Sequence, residues 1–134
     1  MSRPTRSATD TAGEAAPLGE RLAMAIAGRD RAGLRGLFTT PVRFRAVTPR
    51  RFWDAETPIG VEDIVFGTWF PDSMTVTDVR MLERDPIGTT GTFGYRLSVD
   101  TREGPTVVEQ VGYSQVTDGL MSDVRLVCSG FHRA

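Results

Sequence analysis

The chain has 134 residues, enough for one domain with a core of modest size. Its formal net charge is −1 and its 16 basic residues are all arginine, balanced by 17 acids, so no basic footprint for nucleic acid or an acidic membrane is present. One cysteine, Cys128, and one histidine, His132, exclude an internal disulfide and are too few for a zinc site, and no metal or other cofactor is expected.

Residues 1–16 are rich in Ser, Thr, Ala and Gly and read as a disordered N-terminal tail, followed by a single domain over 17–134. No apolar run is long enough for a signal peptide core or a membrane span, so a cytoplasmic location is expected. Pro17 suits a first helical turn. Leu18, Leu22, Ala25 and Ile26 follow at helical spacing, which predicts a helix to about Gly28. Asp30 is a capping residue for a short second helix with Leu34, Leu37 and Phe38 as its buried stripe, ended by Pro41.

The alternating string VRFRAV over 42–47 predicts the first strand, with Arg43 and Arg45 expected in solvent. An aromatic and basic loop with Phe52 and Trp53 follows over 49–58. A third helix over 59–70 carries Val61, Ile64, Val65, Trp69 and Phe70 on its apolar side and stops at Pro71. Strands are expected at about 74–84, 91–101, 106–117 and 120–131. Their breaks fall at Pro86-Ile87-Gly88, Glu103-Gly104-Pro105 and Asp118-Gly119. The layout is α+β, with three N-terminal helices covering one face of a bent antiparallel sheet.

Asp118-Gly119 between alternating runs is a strong hairpin signal. A two-residue loop there opposes Val116 to Met121, and counting back opposes Tyr113 to Val124 and Glu109 to Cys128. Centring the preceding turn on Glu103-Gly104 opposes Ser98 to Glu109, with Arg96 on the diagonal. One face then holds Arg96, Ser98, Glu109, Val111, Tyr113, Val124, Leu126 and Cys128, and this face is expected to meet the helices. The other holds Phe93, Tyr95, Leu97, Val99, Val108, Gln110, Gly112, Met121, Asp123, Arg125 and Val127. A slip of one residue exchanges the faces.

The helix pair ending in Leu37-Phe38, the strand VRFRAV after it, the helix after an aromatic loop and the closing string VVEQVGYSQVTDGLMSDVRLVCSGF resemble the NTF2-like superfamily. That superfamily includes SnoaL-like polyketide cyclases and ketosteroid isomerases. The resemblance covers about 17–131. It implies a cone-shaped α+β barrel with a pocket between the curved sheet and the helices, and a homodimer packed through the sheet. It says little about chemistry, because the fold hosts many activities. By this resemblance the isomerases' general-base aspartate falls on Ala46 and their oxyanion-hole tyrosine on Leu22. Neither residue can do that work, so that constellation is rejected.

Glu109 is the leading catalytic candidate, because a carboxylate on a concave face is desolvated and suited to proton transfer. Arg96 lies close enough to orient it, or to hold it as a structural ion pair. Tyr113 shares the expected face and would donate to a carbonyl or oxyanion; the alternative is a core tyrosine bonded to backbone. The expected pocket wall is Trp53, Trp69, Phe44, Val111, Leu126 and Cys128, with Cys128 as an unreactive thiol. His132, near the end, is expected to fray. Two functional readings remain open: a cofactor-independent cyclase, isomerase or dehydratase acting on a hydrophobic carbonyl metabolite, and a non-catalytic ligand-binding or dimeric association module. A dimer whose interior is filled by side chains is a third possibility.

Overall fold

A computed structural model describes residues 8–134. The chain runs α1 (Ala8–Ala27), α2 (Arg31–Arg35), β1 (Phe38–Thr48), β2 (Arg51–Ala55), α3 (Pro58–Ile64), β3 (Thr75–Leu82), β4 (Gly91–Thr101), β5 (Gly104–Thr117), β6 (Leu120–Cys128) and β7 (His132–Arg133). The helix expected to open at Pro17 already begins at Ala8 and carries Pro17 inside it. Residues 8–16 of the expected tail are thus helical backbone, and the rest of that tail lies outside the described residues. The alanines that made this stretch look featureless are strong helix formers.

Local chemistry sets the shorter helices. Asp30 caps α2 by accepting from the Gly33 N–H at 2.9 Å, and Thr57 caps α3 through Gly60 at 3.0 Å, with Pro58 in the first turn. After Ile64 the helix widens into a π-helical turn, Val65–Trp69, closed by Phe70 N–H to Val65 O at 2.8 Å. The loop expected over 49–58 contains β2, which pairs with β1.

The sheet has 7 strands, six in the order β2-β1-β6-β5-β4-β3, with β7 added beside β5. All pairings are antiparallel except β1 with β6, which run parallel. The helices cover one face. That inner face buries Phe93, Tyr95, Leu97 and Val99 from β4, Val108 and Gln110 from β5, Val124 and Leu126 from β6, and Val42, Phe44 and Ala46 from β1. α1 lies against β4, and Gly19 on α1 and Gly112 on β5 enclose the Phe93 ring so closely that a Cβ at either would overlap it.

The register corrects the face expected to meet the helices. Val116 does oppose Met121, as the Asp118-Gly119 turn dictates. Both turn residues take positive φ, 52° and 81°. A bulge at Ser122 then shifts the pairing by one, so Tyr113 opposes Arg125 and Gln110 opposes Cys128. One added residue in one strand reverses which side chains share a face. Arg96 opposes Glu109 directly, because the β4–β5 turn centres on Arg102-Glu103, one residue before the expected Glu103-Gly104, which moves the partner of Glu109 by two positions. Glu109, Arg96, Tyr113 and Val111 therefore lie on the outer face, while Val124, Leu126 and Cys128 share the inner one with Tyr95 and Gln110.

Candidate functional site

Glu109 and Arg96 form an ion pair at 2.6 Å with side chains 36% and 45% exposed, on the side away from the helices. Tyr113 is half-buried on the same outer face, where its hydroxyl receives a long contact from Arg84 at 3.4 Å. The three residues expected to do chemistry thus share a face, but it is the one turned away from the helices, where Tyr113 lines an outer groove with Asp123, Arg125 and Val127 and neither Glu109 nor Arg96 takes part. Val111, expected in the pocket wall, goes with them.

The remaining wall residues converge on the inner side. Phe44 is buried in β1, with its ring centroid 6.3 Å from that of Trp69. Trp53, on β2 opposite Ala46, meets Trp69 edge-on at 5.9 Å. The Arg51 guanidinium lies over the Trp53 ring, 3.7 Å from its centre. Ala46 and Leu22, where the isomerase acid and tyrosine would fall, are both buried and apolar.

A cavity of about 210 Å³ opens beside this cluster, at the end of the sheet where β5 and β6 meet the π-helical turn. Its walls include Thr48, Trp69, Phe70, Met74, Gln110 and Cys128, and Phe131 stands at its rim, edge-on to Phe70 at 5.8 Å. The polar groups are few. Gln110 is 1% exposed, and its amide oxygen accepts the Tyr95 hydroxyl at 2.6 Å. That bond fixes the amide and leaves Nε2 as a buried donor with no protein partner. The Trp69 indole N–H is likewise buried and unpartnered. Trp53 differs: its indole N–H is satisfied by the Thr48 hydroxyl at 2.9 Å. Leaving buried donors unpaired costs about 1–3 kcal/mol each, so such groups mark a place where an acceptor belongs.

Burial, with a smaller contribution from Cys128, pushes the Tyr95 phenol far above its ordinary range, so it remains a hydrogen-bond donor to Gln110. Cys128 opposes Gln110 across the strands, and its sulfur accepts the Gly130 N–H at 3.5 Å. No carboxylate or imidazole lines the cavity. Among the described residues, no group of His, Cys, Asp and Glu could hold a metal ion, and no helix is long and apolar enough to cross a membrane.

The strand alternation places Gln110 and Tyr95 on the face expected to point away from the helices, and the structure buries both beneath them. The signal that finds them is β4 itself. Phe93, Tyr95, Leu97 and Val99 alternate without interruption, a stronger inward pattern than any on β5 or β6.

No family model matches the sequence, and no curated protein matches it. Solved structures match the fold. An LEH-like epoxide hydrolase from M. tuberculosis superposes with a TM-score of 0.65 at 12% identity, over 87% of this chain and 84% of that one. A protein of ketosteroid isomerase-like fold from Catenulispora acidiphila, solved with trimethylamine, gives 0.67 at 14%, over 84% and 85%. An NTF2-like protein from Anabaena variabilis gives 0.66 at 12%, over 96% of both chains.

Proposed function

We propose that this protein, an NTF2-like α+β domain, binds a small and largely apolar ligand that carries a hydrogen-bond acceptor such as a carbonyl. The observation that carries this reading is the pair of unpartnered buried donors, Trp69 Nε1 and Gln110 Nε2, on residues lining one cavity. Two N–H groups in an apolar surround hold a carbonyl oxygen and polarise it. With no carboxylate or imidazole in the wall, the cavity has the means to bind and orient but no group of those kinds to move a proton. This favours the ligand-binding module over the cyclase, isomerase or dehydratase.

The test is a titration with small cyclic ketones, followed by calorimetry and by tryptophan fluorescence. Trp69→Phe keeps the ring packing and removes one donor. It is expected to weaken binding about tenfold, the equivalent of one hydrogen bond of about 1.4 kcal/mol. Absence of binding, or equal affinity in the variant, overturns the reading.

A second copy of the chain fits the outer face. The register aligns Phe52, Val47, Val127 and Val111 across four adjacent strands, and the first three are 82%, 40% and 51% exposed. A continuous apolar row flanked by the Arg96–Glu109 and Arg45–Asp123 pairs suits a self-complementary interface. Sedimentation of the native protein and of Val127→Glu tests this: a dimer that the substitution dissociates is expected, and a native monomer overturns it.

A further inference from the structure

The inner cavity is not the only space at this end of the molecule. A second groove, of about 480 Å³, lies beyond it and is lined by residues of the β4–β5 turn and the C-terminal segment. Met74 and Phe131 line both spaces. The two are therefore neighbours separated by a wall of two side chains.

The geometry of that wall is set by the backbone. Ser129 is pinned to β5 twice, through its N–H to the Glu109 carbonyl at 2.8 Å and through its hydroxyl, which accepts the Glu109 N–H at 2.9 Å. Gly130 then turns with φ of 78°, close against Pro49, a conformation that favours glycine. The chain resumes as β7, pairing His132 with Val107 and Arg133 with Thr106. Phe131 is held between these two anchors at the mouth of the cavity and is 37% exposed.

The two spaces differ in chemistry. The inner one is apolar with two N–H donors. The outer one has Arg102 and Arg133 against a single acid, Glu103. Among the described residues neither arginine forms an ion pair. The threonines beside them, Thr101 and Thr106, already donate their hydroxyls to backbone carbonyls. With those hydroxyls engaged, the two guanidiniums are the charged donors of the groove, beside the Ser73 hydroxyl and the Glu103 carboxylate, and the excess of positive charge matches an anionic oxygen group.

We infer that the two spaces form one site for an elongated ligand, with its acceptor head beneath Trp69 and Gln110 and an acidic tail reaching past Phe131 to Arg102 and Arg133. This inference rests on the binding reading above and specifies the class of ligand. The class is a small ketone or ester joined through a short apolar linker to a carboxylate or similar anion.

The experiment uses the full chain and two probes, a cyclopentanone bearing a short alkanoic acid tail and the methyl ester of the same compound. The native protein is expected to bind the free acid about tenfold more tightly than the ester. In Arg102→Gln/Arg133→Gln that preference is expected to vanish. Equal affinity for acid and ester in the native protein, or a preference that survives in the double variant, overturns the inference and leaves head-group binding intact. Failure of both probes to bind, or indifference of both to Trp69→Phe, removes the head site and the inference with it. Phe131→Ala supplies an independent readout: faster association and dissociation of the acid are expected, and unchanged rates overturn the role of Phe131 as the partition.

Discussion

Tyr95 donates its hydroxyl to the side-chain oxygen of Gln110 across β4 and β5, at 2.6 Å and in full burial. The bond satisfies both groups in the core and fixes which end of the amide is left for a ligand. Neither partner is replaceable alone without leaving a buried polar atom unpaired. Tyr95→Phe and Gln110→Leu are each expected to destabilise the fold by about 1–3 kcal/mol. The double variant is expected to cost less than the sum, with a coupling of about 1 kcal/mol. Urea unfolding of the four proteins measures this, and strict additivity counts against the bond.

Glu109→Gln is expected to leave ligand affinity unchanged and to alter stability by less than about 1 kcal/mol. The carboxylate pairs with Arg96 on the exposed face, where water screens the interaction. A large loss of binding in this variant would return Glu109 to the site.

Phe93 is confined between Gly19 and Gly112 and lies nearly parallel to Tyr95, with ring centroids 6.2 Å apart. Gly112→Ala forces its methyl into the Phe93 ring and is expected to cost about 1–3 kcal/mol by overpacking. Combining it with Phe93→Leu, which withdraws the ring, is expected to recover part of that loss. The midpoint of denaturant unfolding reports both.

Glu62 is buried between α2 and α3, bonded to Arg35 at 2.6 Å and Arg31 at 3.1 Å. The Arg35 hydrogen bond, assisted by Arg31 and opposed by burial, holds its carboxyl below the ordinary 4.5. A folded-state value below the unfolded one gives stability that is present above about pH 4.5 and is lost as pH falls through the lower value. Glu62→Gln is expected to be less stable than the native protein at neutral pH. The gap is expected to close in acid, which thermal unfolding across pH 2–7 would follow. A gap that is constant with pH removes the ion pairs as its cause.

Much of the fold was readable. The Asp30 cap, the VRFRAV strand, the break at Pro71 and the Asp118-Gly119 hairpin are local signals, and each of these elements forms. Trp53, Trp69, Phe44, Leu126 and Cys128 lie on the inner side, but of these Trp69 and Cys128 alone line the cavity. The placement of Glu109 was lost at one residue. A bulge such as that at Ser122 has no composition signature, and period-two counting carries its offset into every later position. The Trp69 environment was unreadable for a related reason. An ordinary helix and a π-helical turn share the same apolar spacing until one hydrogen bond, Phe70 to Val65, distinguishes them.

The parallel pairing of β1 with β6 also governs the order of assembly. Each other strand pairs with its sequence neighbour or, for β7, with a strand two places back, and those contacts close over short loops. Val47 pairs with Val127 across the whole intervening meander, the costliest closure in the sheet. Thr48, at the end of β1, lies on one side of that seam, and Gln110 and Cys128 lie on the other. The cavity wall therefore exists only where β6 lies beside β1, so the space beneath Trp69 depends on the contact of longest reach among the main strands of the sheet.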